Sequence, residues 1–109
     1  MNDAAPCDHV MVWTTVDDAS AAESIAAGLV EESLAACVQR IAIESTYRWK
    51  GKIENAKEFL LLAKTKSQLA PKVAEFIRAR HPYELPEIVT TPIVDGLKPY
   101  LQWISDETR

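Results

Sequence analysis

The segment RARHPYELPEIV contains several side chains that could bind a ligand. His81 offers an imidazole, Tyr83 a phenol, and Glu84 and Glu87 two carboxylates. Imidazole and carboxylate groups ligate divalent metals, and an imidazole can also act as a general base. A proline follows His81 directly, and the residue before a proline avoids helical geometry, so His81 could also satisfy carbonyl groups where a helix ends. His81 is therefore a candidate metal ligand, a candidate contact for a small ligand, or a structural residue.

The two cysteines, Cys7 and Cys37, are further candidates for metal binding. Cys37 directly follows a predicted helix, where it would be either a soft-metal ligand or a small buried hydrophobe. The two cysteines are far apart in sequence, so the chain lacks the paired spacing of a zinc site. Cys7 and His9 are near enough in sequence for a loose metal contact, but ordering a flexible pair costs entropy before any ion binds.

An aromatic and cationic cluster, made of Tyr47, Trp49, Lys50 and Lys52, surrounds the glycine of a predicted hairpin turn. These side chains could hold a small anionic molecule in a cleft between subunits. They could equally bury aromatic area in a subunit interface, where aromatic residues are enriched. The two interpretations are compatible because pockets often form at interfaces.

Charged residues on the return strand of the same hairpin, Glu54, Glu58 and Lys64, offer weaker evidence of chemistry. On a regular strand Glu54 and Glu58 would share a face but lie about 13 Å apart, which is too far for an acid–base pair. Ion pairs across a subunit interface are the simpler expectation. The sequence also lacks a glycine-rich phosphate loop, a Ser-His-Asp order and an HExxH motif. It therefore predicts a binding protein rather than an enzyme.

Hydrophobic periodicity predicts seven elements that must position these residues. They are a strand over 9–16, a helix over 17–36 with Ser20 and Glu23 as a capping box, strands over 37–49 and 52–65 joined by a turn at Lys50 and Gly51, a helix from Ser67 or Gln68 to residue 80, a strand over 87–94, and a short helix within 96–109. The polar stretch ENAKE predicts either a bulge in the second hairpin strand or a stretch that leaves the main body of the sheet. Pro92 predicts an edge position for the last strand.

The order β-α-β-β-α-β-α predicts an α+β fold, a ferredoxin-like βαββαβ sandwich with a long central hairpin and a short C-terminal helix. Both hairpin strands are longer than a core of this size can cover. Strands that extend beyond their own core must bury their apolar residues elsewhere, and another subunit is the natural cover.

Length and composition limit the function classes. The 109 residues predict a single domain over 1–109, with 1–8 as a flexible tail. The net charge is −4 and lysines and arginines do not cluster, which argues against nucleic-acid binding. No run of about 20 apolar residues predicts a membrane span. No signal peptide is recognisable at the start, so we expect a cytosolic protein with reduced cysteines.

Four motifs in order resemble the CutA divalent-cation tolerance family. They are SLAACV at 33–38, YRWKGKIE at 47–54, HPYELPEI at 81–88 and YLQWI at 100–104. The resemblance covers nearly the whole chain. It implies a ferredoxin-like protomer that assembles into a homotrimer similar in shape to the PII signalling proteins. It also implies a role in tolerance of divalent metals, copper especially, with no catalytic activity and no organic cofactor.

The copper site proposed for that family uses the histidine of the HPY motif, a histidine directly before it and a cysteine late in the first strand. His81 matches the first position, whereas Arg80 and Thr14 occupy the other two. Arginine stays protonated and cannot ligate a metal. The metal candidates in this chain are therefore His81, with Cys37 and Glu87 as further donors.

The resemblance and the residues together predict a trimeric binding protein for copper, another divalent cation or a small anionic molecule, held in clefts between subunits. The expected cleft residues are Tyr47, Trp49, Lys64, Tyr83 and Glu87. The alternative is a trimeric scaffolding or signalling module whose surface binds another protein and which has no metal role. Neither interpretation involves a nucleic acid or a membrane.

Overall fold

Four strands form one antiparallel sheet in the computed structural model, which describes residues 7–109. The strands are β1 (His9–Val16), β2 (Cys37–Trp49), β3 (Lys52–Lys66) and β4 (Ile88–Pro92), and the helices are α1 (Ala19–Glu31), α2 (Ala70–Arg80) and α3 (Lys98–Asp106). The order across the sheet is β2-β3-β1-β4. The ferredoxin-like topology predicted from the sequence is confirmed, as is the edge position of β4.

The helix starts differ from the sequence prediction. Asp18, and not Ser20, is the N-cap of α1: its backbone is extended and its carboxylate accepts a hydrogen bond from the Ala21 N–H at 2.9 Å. Ser20 already lies inside the helix, so the predicted capping box was wrong. A 3₁₀ turn, Ser67–Leu69, precedes α2, and no side chain caps that helix. The predicted end of α2 before His81 is confirmed, since His81 has extended dihedrals.

The hairpin of β2 and β3 keeps one register from Cys37↔Lys64 to Trp49↔Lys52. The bulge in ENAKE is therefore absent, and the other predicted alternative holds, because residues 54–58 lie beyond the part of β3 that pairs with β1. Lys50 and Gly51 both have positive φ, which is the geometry of a two-residue hairpin turn that follows the strand twist. The regular ladder shows that cross-strand pairing overrides the polar composition of this stretch.

The hairpin extends well beyond the rest of the sheet. β1 pairs with β3 only from Phe59 to Lys66, so seven residue pairs, from Ile43↔Glu58 to the turn, have no third strand beside them. At 3.3 Å per residue this overhang is about 23 Å long. The radius of gyration is 14.7 Å, whereas a compact chain of this length has about 13 Å. The overhang, residues 43–58, is the part that another subunit was predicted to cover.

The sheet has one covered face and one largely open face. Alternate residues of the central strands pack with α1 and α2 into a single core that includes Val12, Ile25, Leu29, Leu61 and Ile77. The opposite face is defined here as the open face. Its apolar residues are Met11, Trp13, Ile41, Ile43, Leu60, Leu62 and Val89. Within residues 7–109, neither α1 nor α2 reaches this face.

Helix α3 packs where β1 begins and β3 ends. Ile104 is fully buried there. His9 Nε2 lies 2.8 Å from Ser105 Oγ, and the Lys66 ammonium donates to the Thr108 carbonyl. The predicted tail, 1–8, lies mostly outside the described residues. The carbonyls of its last two residues, Cys7 and Asp8, each accept a hydrogen bond from Ser67.

Two buried threonines on the covered face provide a matched test of the core. The Thr14 hydroxyl has no hydrogen-bond partner, whereas the Thr65 hydroxyl donates to the Leu34 carbonyl at 2.6 Å. Both side chains are fully buried. An unpaired buried hydroxyl costs about 1–3 kcal/mol. We therefore expect Thr14→Val to raise the free energy of unfolding by about 1 kcal/mol and Thr65→Val to lower it by a similar amount.

Urea unfolding of both variants and the parent at one protomer concentration measures this difference. Equal concentrations are needed because the stability of an oligomer depends on concentration. If Thr14→Val were as destabilising as Thr65→Val, the Thr14 hydroxyl would have to make a bond that the isolated protomer lacks.

Candidate functional site

A cleft of about 940 Å³ lies in the corner between the overhang and the segment that links α2 to β4. One wall comes from the end of β1 and the loop after it, Thr15 and Asp17. The hairpin contributes residues 45–49 with Ala56 and Glu58, and the third wall is residues 83–89. The cleft opens on the same side of the sheet as the open face. Side chains alternate between the two faces along each strand, and Thr15, Tyr47 and Glu58 occupy positions that point to the open face.

Both ring nitrogens of His81 are engaged in hydrogen bonds. Nδ1 accepts from the Tyr83 N–H at 3.1 Å, so Nδ1 carries no proton and the hydrogen must lie on Nε2. Nε2 then donates to the Thr15 carbonyl at 2.7 Å. Thr15 is the first residue of β1 beyond its pairing with β4, which ends at Thr14. His81 thus ties the end of α2 to the unpaired end of β1 and leaves no free lone pair for a metal.

Tyr83 connects this histidine to the floor of the cleft. Its ring meets the His81 ring edge-on, with centroids 4.7 Å apart. Its hydroxyl donates to a Glu58 carboxylate oxygen at 2.7 Å. Burial raises the pKa of Tyr83 well above its ordinary value, and the hydrogen bond to Glu58 and the negative charge of that carboxylate raise it further. Tyr83 therefore remains a neutral donor to Glu58 throughout the physiological pH range.

Glu58 is the buried charge of the site. Only 6% of its surface is exposed. The ion pairs within residues 7–109 are Lys50–Glu84 at the cleft mouth and Arg109–Glu32 far from it, and neither involves Glu58. Burying a carboxylate without a cation is costly. Among the side chains of residues 7–109, only the Tyr83 hydroxyl offsets that cost.

The cleft carries an excess of negative charge. Its lining includes four carboxyl groups against the single guanidinium of Arg48. Lys50 and Lys52, which suggested an anionic ligand, are not part of the lining, and the Lys50 ammonium lies 3.7 Å from the Glu84 carboxylate. This balance favours a cationic ligand over the small anion that the lysines of the hairpin tip predicted.

The structure brings together four of the five predicted cleft residues. Tyr47, Trp49, Tyr83 and Glu87 all line the cleft of one protomer. Lys64 does not: it lies near the opposite end of β3, where its ammonium donates to the Tyr100 hydroxyl at 3.1 Å and lies over that ring. A single protomer therefore holds most of a cleft that was predicted to require two.

The predicted metal donors do not converge. His81 lies at the end of β1, whereas Cys37 pairs with Lys64 about four residues, or roughly 13 Å, further along the sheet. Glu87 lines the cleft without a hydrogen bond or ion pair from another described side chain. Residues 7–109 contain no group of three His, Cys, Asp or Glu side chains suited to one metal ion.

The two residues that stand in the proposed copper positions of the CutA family have other roles here. Thr14 lies in the core, on the opposite face of the sheet from the cleft. The Arg80 guanidinium stacks on the Phe76 ring at 3.6 Å and donates to the Phe76 carbonyl. Neither residue replaces a missing donor.

From the sequence, Glu58 was considered as a partner for Glu54 or as a member of an ion pair across a subunit interface, and its bond to Tyr83 was missed. The sequence held a weak signal that Glu58 is buried, because it directly precedes the apolar run FLLLA. Its strand position also points it to the open face. The distance of 25 positions between Glu58 and Tyr83 could not be bridged without the strand order.

Comparisons with known proteins point to one family. The family model described as CutA1 divalent ion tolerance protein matches residues 10–107. Divalent-cation tolerance protein CutA of Thermus thermophilus is 44% identical over 99 residues, covering 90% of this chain and 96% of that protein. Protein CutA of the mouse is also 44% identical, over 89% of this chain but 55% of its own length. The chain thus spans about half the length of the mouse relative.

Solved structures agree with these matches. Cut A1 from Thermus thermophilus superposes with a TM-score of 0.88 at 43% identity, covering 93% of this chain and 99% of that one. CutA1 from Shewanella sp. SIB1 superposes with a TM-score of 0.91 at 40% identity, covering 95% and 98%.

Proposed function

The chain belongs to the CutA1 divalent ion tolerance family, and from that membership we propose that it acts as a trimeric cation-binding protein whose ligand site is the cleft. The observation that carries the proposal is the cleft itself, with its excess of carboxyl groups and its buried Glu58. The four charged and aromatic residues predicted there, Tyr47, Trp49, Tyr83 and Glu87, support the same location.

Trimer formation is supported by the open face. Seven apolar side chains on that face are not covered by α1 or α2, and the short helix α3 contacts only the end of the face where β1 begins. The rest of the face can be buried only by something outside the described protomer. The overhang adds a long edge strand, β2, whose outer side pairs with nothing in the described residues. Association of identical chains would cover both.

The metal contact that this protomer offers is Glu87. His81 is unsuited because its lone pair is already used, and Cys37 is remote from the cleft. We propose that Cu(II), or another divalent cation, binds at the cleft through Glu87 and is completed by oxygen or nitrogen donors of a neighbouring subunit. This arrangement fits the absence of a three-donor group within residues 7–109.

Calorimetric titration of the assembled protein with Cu(II) tests this proposal. We expect Glu87→Gln to weaken binding about tenfold, because a neutral amide is a poorer ligand than a carboxylate. We expect Glu84→Gln, the same change on a neighbouring residue that pairs with Lys50, to have little effect. A site that is insensitive to Glu87→Gln would place the metal elsewhere and contradict the proposal.

The cytosolic location remains a prediction. No helix within residues 7–109 is long and apolar enough to cross a membrane. Among the relatives, the Arabidopsis thaliana protein is named chloroplastic and the Archaeoglobus fulgidus protein periplasmic.

A further inference from the structure

We infer that the cleft binds an organic ammonium ion, with the Glu58 carboxylate as its counter-ion and the aromatic residues Tyr47 and Trp49 on the wall toward the hairpin tip. The inference rests on the proposed function, because it assumes that the cleft is a binding site. It assigns to the cleft a ligand class, organic ammonium ions, and an anchor residue, Glu58.

Glu58 is incompletely paired within the protomer. Glu58 as a residue is only 6% exposed, and one oxygen of its carboxylate accepts from the Tyr83 hydroxyl. No lysine or arginine within residues 7–109 forms an ion pair with it. Buried carboxylates in proteins are normally paired with a cation or held by several hydrogen bonds. The partner that Glu58 lacks within the described protomer is therefore a cation, and Glu58 lines the cleft in which one could bind.

The size and lining of the cleft suit an organic cation. A volume of about 940 Å³ is far larger than one ion needs and falls within the range of small-molecule sites. Tyr47 and Trp49 contribute aromatic rings to its wall, and aromatic faces attract organic ammonium groups. A bare metal ion would need several oxygen or nitrogen donors around Glu58, and no such group is present in the described part of the chain.

The remaining carboxyl groups of the cleft favour a ligand with more than one positive charge. Asp17, Glu84 and Glu87 lie on the lining together with Glu58, so more than one negative charge faces the ligand. A molecule with two ammonium groups would neutralise Glu58 with one group and reach a rim carboxylate with the other. Aliphatic diamines have this shape, and 1,4-diaminobutane is a suitable probe.

The experiment is a calorimetric titration of the assembled protein with 1,4-diaminobutane at 0.15 M salt, with the neutral analogue 1,4-butanediol as the ligand control. We expect the diamine to bind and the diol not to bind. Glu58→Gln should weaken diamine binding about tenfold or more, because a charge-assisted hydrogen bond is lost. Tyr47→Ala should weaken it about threefold through loss of the ring face.

Glu44→Gln is the matched control variant. Glu44 lies on the same hairpin and changes the net charge equally, but it points to the other face of the overhang and is absent from the cleft lining. It should leave the affinity for the diamine nearly unchanged. Equal loss in Glu44→Gln and Glu58→Gln would mean that the diamine responds only to overall charge, and would overturn the inference.

Two other outcomes would also overturn the ammonium inference without contradicting the proposed function. If Cu(II) bound in a Glu87-dependent manner but the diamine did not bind, the cleft would be a metal site and the ammonium inference would be wrong. If Glu58→Gln dissociated the assembly, a cation of a neighbouring subunit would be the partner of Glu58. Failure of both titrations would reject the proposed function itself.

Discussion

Replacing Ile41 by glutamate is expected to break the assembly, whereas replacing Val30 by glutamate is expected to leave it intact. In the isolated protomer the two side chains are almost equally exposed, at 47% for Ile41 and 45% for Val30. If the protein were a monomer, glutamate at either position should therefore lower the free energy of unfolding by about the same amount. The positions differ only in where they lie.

Ile41 lies on the open face, opposite Leu60 and next to the other apolar residues of that face. Val30 lies on α1, on the far side of the helical layer. If three copies pack through the open face, each Ile41 loses its remaining exposure, and each glutamate would place a charge in an apolar interface. Loss of the apolar contact alone is worth about 1.5–3 kcal/mol per copy, and an unpaired buried charge adds to that cost.

Size-exclusion chromatography with light scattering measures the mass, and thermal unfolding measures the stability. We expect the parent and Val30→Glu to have the mass of three chains. Ile41→Glu should have the mass of one chain and a melting temperature lower by ten degrees or more, roughly, given that 1 kcal/mol shifts a domain of this size by about 4–8 °C. A trimeric Ile41→Glu with an unchanged melting temperature would show that the open face is covered by something other than another copy.

The elements predicted correctly from the sequence are those fixed by interactions between residues close together in the chain. The ends of β1 and β2 and the end of α2 before His81 were predicted because periodicity and a proline are local signals. The bulge in ENAKE was predicted from composition, but the ladder of the long hairpin gives every backbone group there a partner, which outweighs the polar side chains. The α1 cap was shifted by two positions because several capping residues are adjacent, and only backbone geometry distinguishes them.

The candidate site was predicted less completely, for a related reason. Tyr47, Trp49, Tyr83 and Glu87 were grouped by family motifs and by the expected hairpin, and they do share a cleft. Whether Lys64 or Glu58 belongs with them depends on the register between β1 and β3, which places Glu58 just past the end of β1 and Lys64 deep within the sheet. A sequence shows which residues of a strand share one face, but it does not show where the neighbouring strand ends.

The largest effect expected at the site itself is on stability, through His81. His81→Ala removes a donor to the Thr15 carbonyl and an acceptor for the Tyr83 N–H, at 2.7 and 3.1 Å. Each hydrogen bond contributes about 0.5–1.5 kcal/mol, and a buried group left without a partner costs more. We expect His81→Ala to lower the free energy of unfolding by about 2–3 kcal/mol and to release Tyr83 from Glu58.

Two partial replacements divide this effect between the two nitrogens. The asparagine oxygen can take the place of Nδ1, so His81→Asn should keep the bond from the Tyr83 N–H and lose the bond to Thr15. The glutamine amide nitrogen can take the place of Nε2, so His81→Gln should keep the bond to Thr15 instead. Both variants should fall between the parent and His81→Ala in urea unfolding, and Cu(II) affinity should be the same in all four proteins.

The metal-ligand interpretation of His81 predicts the opposite order of effects. A ligand must offer a free lone pair, and alanine, asparagine and glutamine at position 81 would each remove the imidazole. Copper binding would then fall in all three variants while stability changed little. Because the two ring nitrogens already serve the Tyr83 N–H and the Thr15 carbonyl, a copper ion could bind His81 only after one of these bonds broke. Stability and copper affinity, measured on the same three variants, therefore separate a histidine that holds the cleft together from one that binds metal.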